Sequence, residues 1–407
     1  MTTSPLNPSA LSFLFAVAYF VSYLTRVNYS AVISEMELAT GMSKSMLSMA
    51  LTGSFFTYGA GQVVSGIMGD RISPKKLLLG GLLLSSVMNI LLPLCSNAYQ
   101  MLAVWCVNGF AQAFMWPPLV KLMTVCLPEE QYQRSVVRAS YGCSLGTVAV
   151  YLLSPAIISA FCWRGVFFAS AVCGLSMVVV WWLLCPETAP VIKADTPKAE
   201  AAGRKLLFCP TMLGIMVAIT LHGMLKDGVS TWMPSYISET YHVGNLIAIL
   251  TGVVMPVFSV LSVEVASRVY RRFFKNPVAC AASVFAVSIG CSLLLALFSN
   301  ANPALSVVLS ALLTGSMHGV NLMLISTIPP FFKKYNAVST ASGVLNACTY
   351  IGSAVSAYGI AVVSENYSWQ VTLWLWLGIA VTAGVLCLLC MGPFRKRWFD
   401  SPPGKMQ

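Results

Sequence analysis

PETAPVIKADTPKAEAAGRK, residues 186–205, is the one long polar segment in a chain of 407 residues. On either side the sequence runs in apolar stretches longer than the roughly 18 residues that cross a hydrocarbon core about 30 Å thick. Six precede it, at about 10–34, 45–69, 77–95, 98–126, 135–159 and 165–185, and six follow, at about 208–238, 244–267, 276–298, 303–328, 337–363 and 369–392. Rich in Pro, Ala and charge, the segment reads as a linker. The expected fold class is an all-α membrane protein with twelve transmembrane helices in two six-helix bundles related by an axis along the membrane normal. The expected division is 1–185 for the N-terminal bundle, 186–207 for a cytoplasmic linker, and 208–407 for the C-terminal bundle with its cytoplasmic tail.

Composition agrees with that reading. The chain is 57% hydrophobic and 9% charged with a mean hydropathy of +0.78, too little polar surface for a soluble globule of this size. A net charge of +11 would suggest nucleic acid in a soluble protein, but here the placement of each cation decides the matter. Even-numbered gaps and the tail hold Arg71, Lys75, Lys76, Arg134, Lys193, Lys198, Arg204, Lys205, Arg268, Arg271, Arg272, Lys275, Lys333, Lys334, Arg395, Lys396, Arg397 and Lys405, whereas the odd gaps hold Lys44 and Arg164. By the positive-inside rule both termini are cytoplasmic. No nucleic-acid partner is expected. The thirteen cysteines sit mostly inside apolar spans, as small hydrophobes, with no disulfide or metal-ligand spacing. The first helix is too long for a signal-peptide core and is expected to be retained.

Four cations remain inside spans: Arg26, Lys121, Arg138 and Lys226. A charge near the bilayer centre costs about 2.5 to 3.5 kcal/mol on insertion scales, so such residues by default mark a pathway or a paired site. Arg26 lies in the first helix of its half and Lys226 in the first helix of the other, 200 positions apart, as an internal repeat requires. Lys121 and Arg138 lie near cytoplasmic helix ends and are expected to snorkel.

The gap between spans two and three reads SGIMGDRISPKK, Ser65–Lys76. It resembles the loop signature of the major facilitator superfamily, matched at Gly66, Gly69, Asp70, Arg71, Lys75 and Lys76, with Pro74 where the family more often has Gly or Arg. Physically, the glycines allow close helix approach, and Asp70 can pair with Arg71 or cap a neighbouring helix end. We expect Gly66, Gly69, Asp70 and Arg71 to serve conformational cycling. Arg26-x-Asn28, NGFAQAFMWPP (108–118), KDGVSTWMPSYISE (226–239) and FFKKYNAVSTASGVLNACTYIGSA (331–354) together resemble the organophosphate:phosphate antiporters, which include the glycerol-phosphate and hexose-phosphate carriers. The resemblance runs over the whole chain. It implies that the cations at Arg26 and Lys226 hold a phosphoryl group, and it implies a bacterial cytoplasmic membrane. Two positions depart from the pattern: Val27 stands where a lysine often follows the arginine, and span five has no histidine.

His222 lies four residues before Lys226 and so on the same helical face. With His318, Asn321, Tyr23, Tyr141, Asn346 and Tyr350 it is a candidate cavity-lining residue, and core packing is the competing reading for each. Asp227 projects about 100° from Lys226 on a helix and is not expected to neutralise it. Asp227 and Glu264 are candidate coupling groups, although Glu264 also stands at i, i+4 from Arg268. Trp116-Pro117-Pro118 should bend span four, because proline removes a backbone donor.

No Walker A pattern, catalytic triad or metal cluster is present in the sequence, so an enzyme is not expected, nor any cofactor or metal. The expected function is secondary active transport of a small organic anion, most simply a phosphorylated metabolite exchanged for inorganic phosphate by alternating access. Two other readings stay open: a proton- or cation-coupled symporter or exporter of the same fold, and a non-transporting sugar-phosphate sensor. The expected partners are a small anionic molecule and the lipid bilayer, with the chain acting as a monomer.

Overall fold

A computed structural model describes residues 7–42, 44–187, 197–242, 245–299 and 301–399. They form α1 (Pro8–Thr40), α2 (Lys44–Arg71), α3 (Pro74–Leu91), α4 (Ala98–Gln112), α5 (Trp116–Cys126), α6 (Glu129–Ala160), α7 (Trp163–Leu184), α8 (Pro197–Leu207), α9 (Pro210–Tyr241), α10 (Asn245–Phe273), α11 (Pro277–Leu297), α12 (Pro303–Asn321), α13 (Val338–Asn366) and α14 (Trp369–Trp398). No strand occurs among the described residues. Taking α4 and α5 as the two halves of one interrupted span and setting α8 aside, these are the twelve membrane helices. Of the expected linker, 188–196 lies outside the described residues. Its end is not loop but α8, because Ala, Glu, Lys and Arg are strong helix formers.

Among the described residues, eight helices are long and apolar enough to cross a membrane on those grounds alone: α1, α3, α6, α7, α9, α11, α12 and α14. The break between α4 and α5 leaves pieces of 15 and 11 residues. Both α2 and α13 are rich in Gly, Ser and Thr, which lowers hydropathy and suits close packing against neighbouring helices. Large apolar side chains such as Phe56, Leu152, Trp182 and Leu389 point outward, where lipid covers them.

The chain folds as two compact units, one of Met1–Glu200 with Phe332–Ala347, the other of Ala201–Phe331 with Cys348–Gln407. In the first unit α1 packs on α6 and α7, α2 on α4, and α3 on α7 and α4. Its core holds Tyr29, Met36, Leu47, Trp105, Trp163 and Phe167; the Trp105 and Phe167 rings meet edge to face at 5.9 Å, and the Tyr29 hydroxyl donates to the Leu47 carbonyl at 2.9 Å. In the second unit α9 packs on α14 and α12, α10 on α12, and α11 on α14 and α12. The pairs α1–α7, α2–α4 and α3–α7 of one unit thus recur as α9–α14, α10–α12 and α11–α14 of the other.

Close backbone approaches fix the register of this repeat. A Cβ added at Gly146 on α6 would overlap the Phe20 carbonyl of α1, and one added at Gly352 on α13 would overlap the Thr220 carbonyl of α9. Phe20 and Thr220 therefore occupy equivalent places, and Arg26 and Lys226 each follow by six residues. The fourth helix of each unit is also interrupted. Pro117 and Pro118 begin α5 after the turn at 113–115, as the sequence predicts. By contrast α12 passes into a π-helical turn, Leu322–Ser326, with no proline inside it.

Candidate functional site

In the first unit the Arg26 guanidinium is half-buried, with Cζ 4.0 Å from the Tyr58 ring centroid and 5.6 Å from that of Tyr23. Both are cation–π contacts, so the charge is held against ring faces on α1 and α2. Tyr19 continues the aromatic wall, 5.2 Å from Tyr23 and 5.0 Å from Trp116 between centroids. Tyr141 lies half-buried on α6.

The adjacent face of α1 is braced by buried carboxamides and hydroxyls. Asn28 Nδ2 donates to Asn89 Oδ1 at 2.7 Å; Asn89 and Asn108 both donate to the Thr25 carbonyl, at 3.0 and 3.1 Å. Gln112 Nε2 donates to Thr25 Oγ1 at 2.9 Å and to Ser85 Oγ at 2.8 Å, and Ser85 donates to Asn108 Oδ1 at 2.7 Å. In an apolar setting such groups must find one another, which orients α1 against α3 and α4 one residue before Arg26.

In the second unit Lys226 Nζ stands 3.4 Å from Asp227 Oδ1 and 5.9 Å from the Tyr350 ring centroid. The expectation that Asp227 projects away is therefore corrected: four methylenes let the ammonium swing back to its neighbour although their Cβ atoms diverge. The Ser353 hydroxyl of α13 donates to Asp227 Oδ2. His222 is fully buried, and its Nε2 donates to the Met317 carbonyl of α12 at 2.9 Å, which leaves Nδ1 as an acceptor without a hydrogen-bond partner among the described residues. His318 is half-buried and its Nδ1 likewise has none. His222 stands one turn before Lys226 on α9, and His318 follows Met317, whose carbonyl His222 engages, on α12. Asn321 ends α12, half-buried, just before the π turn. Glu264 pairs with Arg268, Oε1 to Nε 2.8 Å, the i, i+4 contact that the sequence allows.

A third constellation belongs to the first unit. Asp70, in the last turn of α2, is buried and accepts from the backbone N–H groups of Ser339 at 3.0 Å and Thr340 at 2.6 Å, so it caps α13. Its Oδ1 is 3.1 Å from Lys121 Nζ. Lys121 also donates to Asn336 Oδ1 at 3.2 Å; its snorkelling expectation is corrected, since the ammonium is buried and paired. Arg71 is exposed, so the alternative of an Asp70–Arg71 pair gives way to the helix cap and Lys121. Gly66 and Gly69 lie where a Cβ would meet Ser339 and Gly343 of α13. Arg138 Nη1 reaches the carbonyl and hydroxyl of Ser9 at 3.5 Å. Asn346 donates to Gln62 Oε1 at 3.0 Å.

Sequence reading missed Tyr58, Gln62 and the partners Asn89 and Ser85, and gave Gln112 no role although it lies in the 108–118 motif. Asn28 and Asn108 stood inside recognised motifs, and the available signal was carboxamides recurring in spans one, three and four, where lipid gives them no partner.

This geometry is an all-α membrane architecture of two repeated units with a cation on the first helix of each. The Major Facilitator Superfamily model matches residues 15–357, and the chain belongs to that superfamily. It is 25% identical to the membrane sensor protein UhpC of Salmonella typhimurium, over 93% of this chain and 89% of that one. It is 24% identical to the glycerol-3-phosphate transporter of Bacillus subtilis, covering 87% and 85% respectively. The solved proton:xylose symporter XylE superposes with a TM-score of 0.77 at 13% identity, over 97% of this chain and all of the other, a likeness of fold alone. The resemblance to organophosphate carriers drawn from the motifs is in keeping with these relatives.

Proposed function

We propose that the protein is a secondary transporter of a small phosphorylated organic anion, exchanged for inorganic phosphate across a bacterial cytoplasmic membrane with both termini inside. The observation that carries this is the equivalence of Arg26 and Lys226 within the repeat, each cation next to the ring of a tyrosine from a neighbouring helix. Arg offers a planar fork suited to two phosphoryl oxygens, and Lys a compact charge that adjusts. A site that reads the phosphoryl group binds inorganic phosphate as its smallest ligand, which makes phosphate a natural counter-substrate. Tyr23, Tyr58 and Tyr350 line these cations, and His222, His318 and Asn321 supply neutral hydrogen-bonding groups on the Lys226 side. Tyr141 and Asn346 are assigned supporting positions. The Asp70 cluster, with Gly66, Gly69 and Arg71, serves cycling and not ligand contact; Glu264, engaged by Arg268, is assigned no part in coupling.

The relative named a membrane sensor favours a second reading, in which the same anion site reports occupancy and moves nothing. Purified protein in phosphate-loaded liposomes, offered a panel of labelled phosphate monoesters, separates the two. Uptake that depends on internal phosphate supports exchange. Ligand-induced thermal stabilisation without uptake supports the sensor, and neither response to any phosphate compound refutes both.

A further inference from the structure

Lys226 is the cation of the second unit, yet it is already engaged by an acid of its own helix. Its Nζ lies 3.4 Å from Asp227 Oδ1, and the Ser353 hydroxyl steadies the other carboxylate oxygen from α13. The two side chains are 16% and 36% exposed, so neither is sealed in the core. A carboxylate with no part in ligand contact would be closed off and fully satisfied, as Asp70 is by Lys121, Ser339 and Thr340 at 6% exposure.

We infer that Asp227 is an affinity-limiting residue, an internal counter-ion that competes with the anionic ligand for Lys226 and keeps the site weak enough to release what it binds. This rests on the anion-carrier reading above. A carrier must bind firmly enough to load and weakly enough to unload, and stabilising the bound state more than needed slows every later step. Any anion approaching Lys226 meets an ammonium whose field is largely cancelled by its neighbour. The potential at the ligand is therefore a difference of two terms, and removing the carboxylate restores the full attraction. Because electrostatic energy scales with ligand charge, a doubly charged anion gains about twice as much in log affinity as a singly charged one of similar shape. A merely structural role for Asp227 has no such dependence on charge.

Ser353 supplies a perturbation of opposite sign. Its hydroxyl shares the charge of the carboxylate, so without it Asp227 leans more fully on Lys226 and the ligand binds less well.

The test is equilibrium binding of inorganic phosphate at about pH 8, where it is mostly doubly charged, and of dimethyl phosphate, which is singly charged. It is measured by calorimetry on full-length wild type, Asp227→Asn, Asp227→Glu and Ser353→Ala in detergent. Asp227→Asn is expected to bind phosphate about tenfold tighter, the equivalent of 1.4 kcal/mol, to gain about half as much in log units for dimethyl phosphate, and to turn over more slowly in liposomes. Asp227→Glu should stay near wild type and Ser353→Ala should bind phosphate more weakly. Unchanged or weaker phosphate binding by a folded Asp227→Asn overturns the inference. If Asp227→Asn does not fold, Ser353→Ala decides: tighter or unaltered binding there also overturns it. Failure of wild type to bind either probe would instead count against the anion-carrier reading itself.

Discussion

Breaking the buried Asp70–Lys121 pair is the most quantitative test of the first unit. At 3.1 Å and an effective dielectric constant of about 20, the attraction is roughly 5 kcal/mol before desolvation is charged against it. Asp70 also holds two backbone N–H groups of α13, each of the kind worth about 1 kcal/mol at a helix cap. Asp70→Asn keeps an oxygen for one of those N–H groups but leaves the Lys121 ammonium without its carboxylate in a dry site. Removing one member of a buried pair costs about 3 to 5 kcal/mol, and that is the expected loss. Lys121→Met should cost a similar amount, because it strands the carboxylate. The double variant should recover part of the loss, with a coupling of at least about 2 kcal/mol, since no unpaired charge remains. Equilibrium unfolding in denaturing detergent, followed by tryptophan fluorescence, measures all three. Single losses that add to within about 0.5 kcal/mol would refute the claim that the two residues act as one unit. In liposomes Asp70→Asn should slow transport far more than it weakens equilibrium phosphate binding, and equal losses would move Asp70 into the ligand site.

Arg26→Lys should impair phosphate-dependent uptake severely although charge is kept, whereas Lys226→Arg should retain activity; equal effects in a liposome assay would remove the fork from the explanation. Tyr58→Leu should weaken phosphate binding by about 0.5 to 2 kcal/mol in calorimetry, because the Arg26 guanidinium loses its closest ring face. Asn89→Leu takes the acceptor from the buried Asn28 carboxamide, while the Thr25 carbonyl keeps Asn108, and should lower the melting temperature, with about 1 to 3 kcal/mol lost for the stranded group. Gly352→Val should prevent close approach of α9 and α13, seen as aggregated protein in size-exclusion chromatography, while the same change at Gly378, where a Cβ meets nothing, should be silent.

Legibility followed the range of the interactions. Hydropathy and the positive-inside rule are properties of contiguous sequence, so the spans and the bend at Pro117–Pro118 could be read directly. The repeat was legible because Arg26 and Lys226 are conspicuous in apolar surroundings. What a side chain meets across helices was not. Lys121 looks like a snorkelling residue until Asp70 comes beside it from another helix, and Asn89 looks like a tolerated polar residue until Asn28 and Thr25 come into view. The Lys226–Asp227 pair failed for a different reason: Cβ directions describe short side chains well but say little about a flexible lysine. The π turn at Leu322–Ser326 has no proline inside it, and the sequence reading let Pro329 and Pro330, which lack the N–H groups for the Ile325 and Ser326 carbonyls, pass as a plain helix end.

The Lys226–Asp227 pair has a further consequence for energetics in a polarised cell. A unit charge that crosses the whole field of a membrane gains or loses about 2.3 kcal/mol per 100 mV. Lys226 and Asp227 sit side by side on one helix, so any displacement carries them together and their contributions cancel. In the exchange cycle proposed above, the voltage would therefore do no work on this pair when the empty protein returns, and the ligand's charge and Arg26 would carry the electrical character of the cycle.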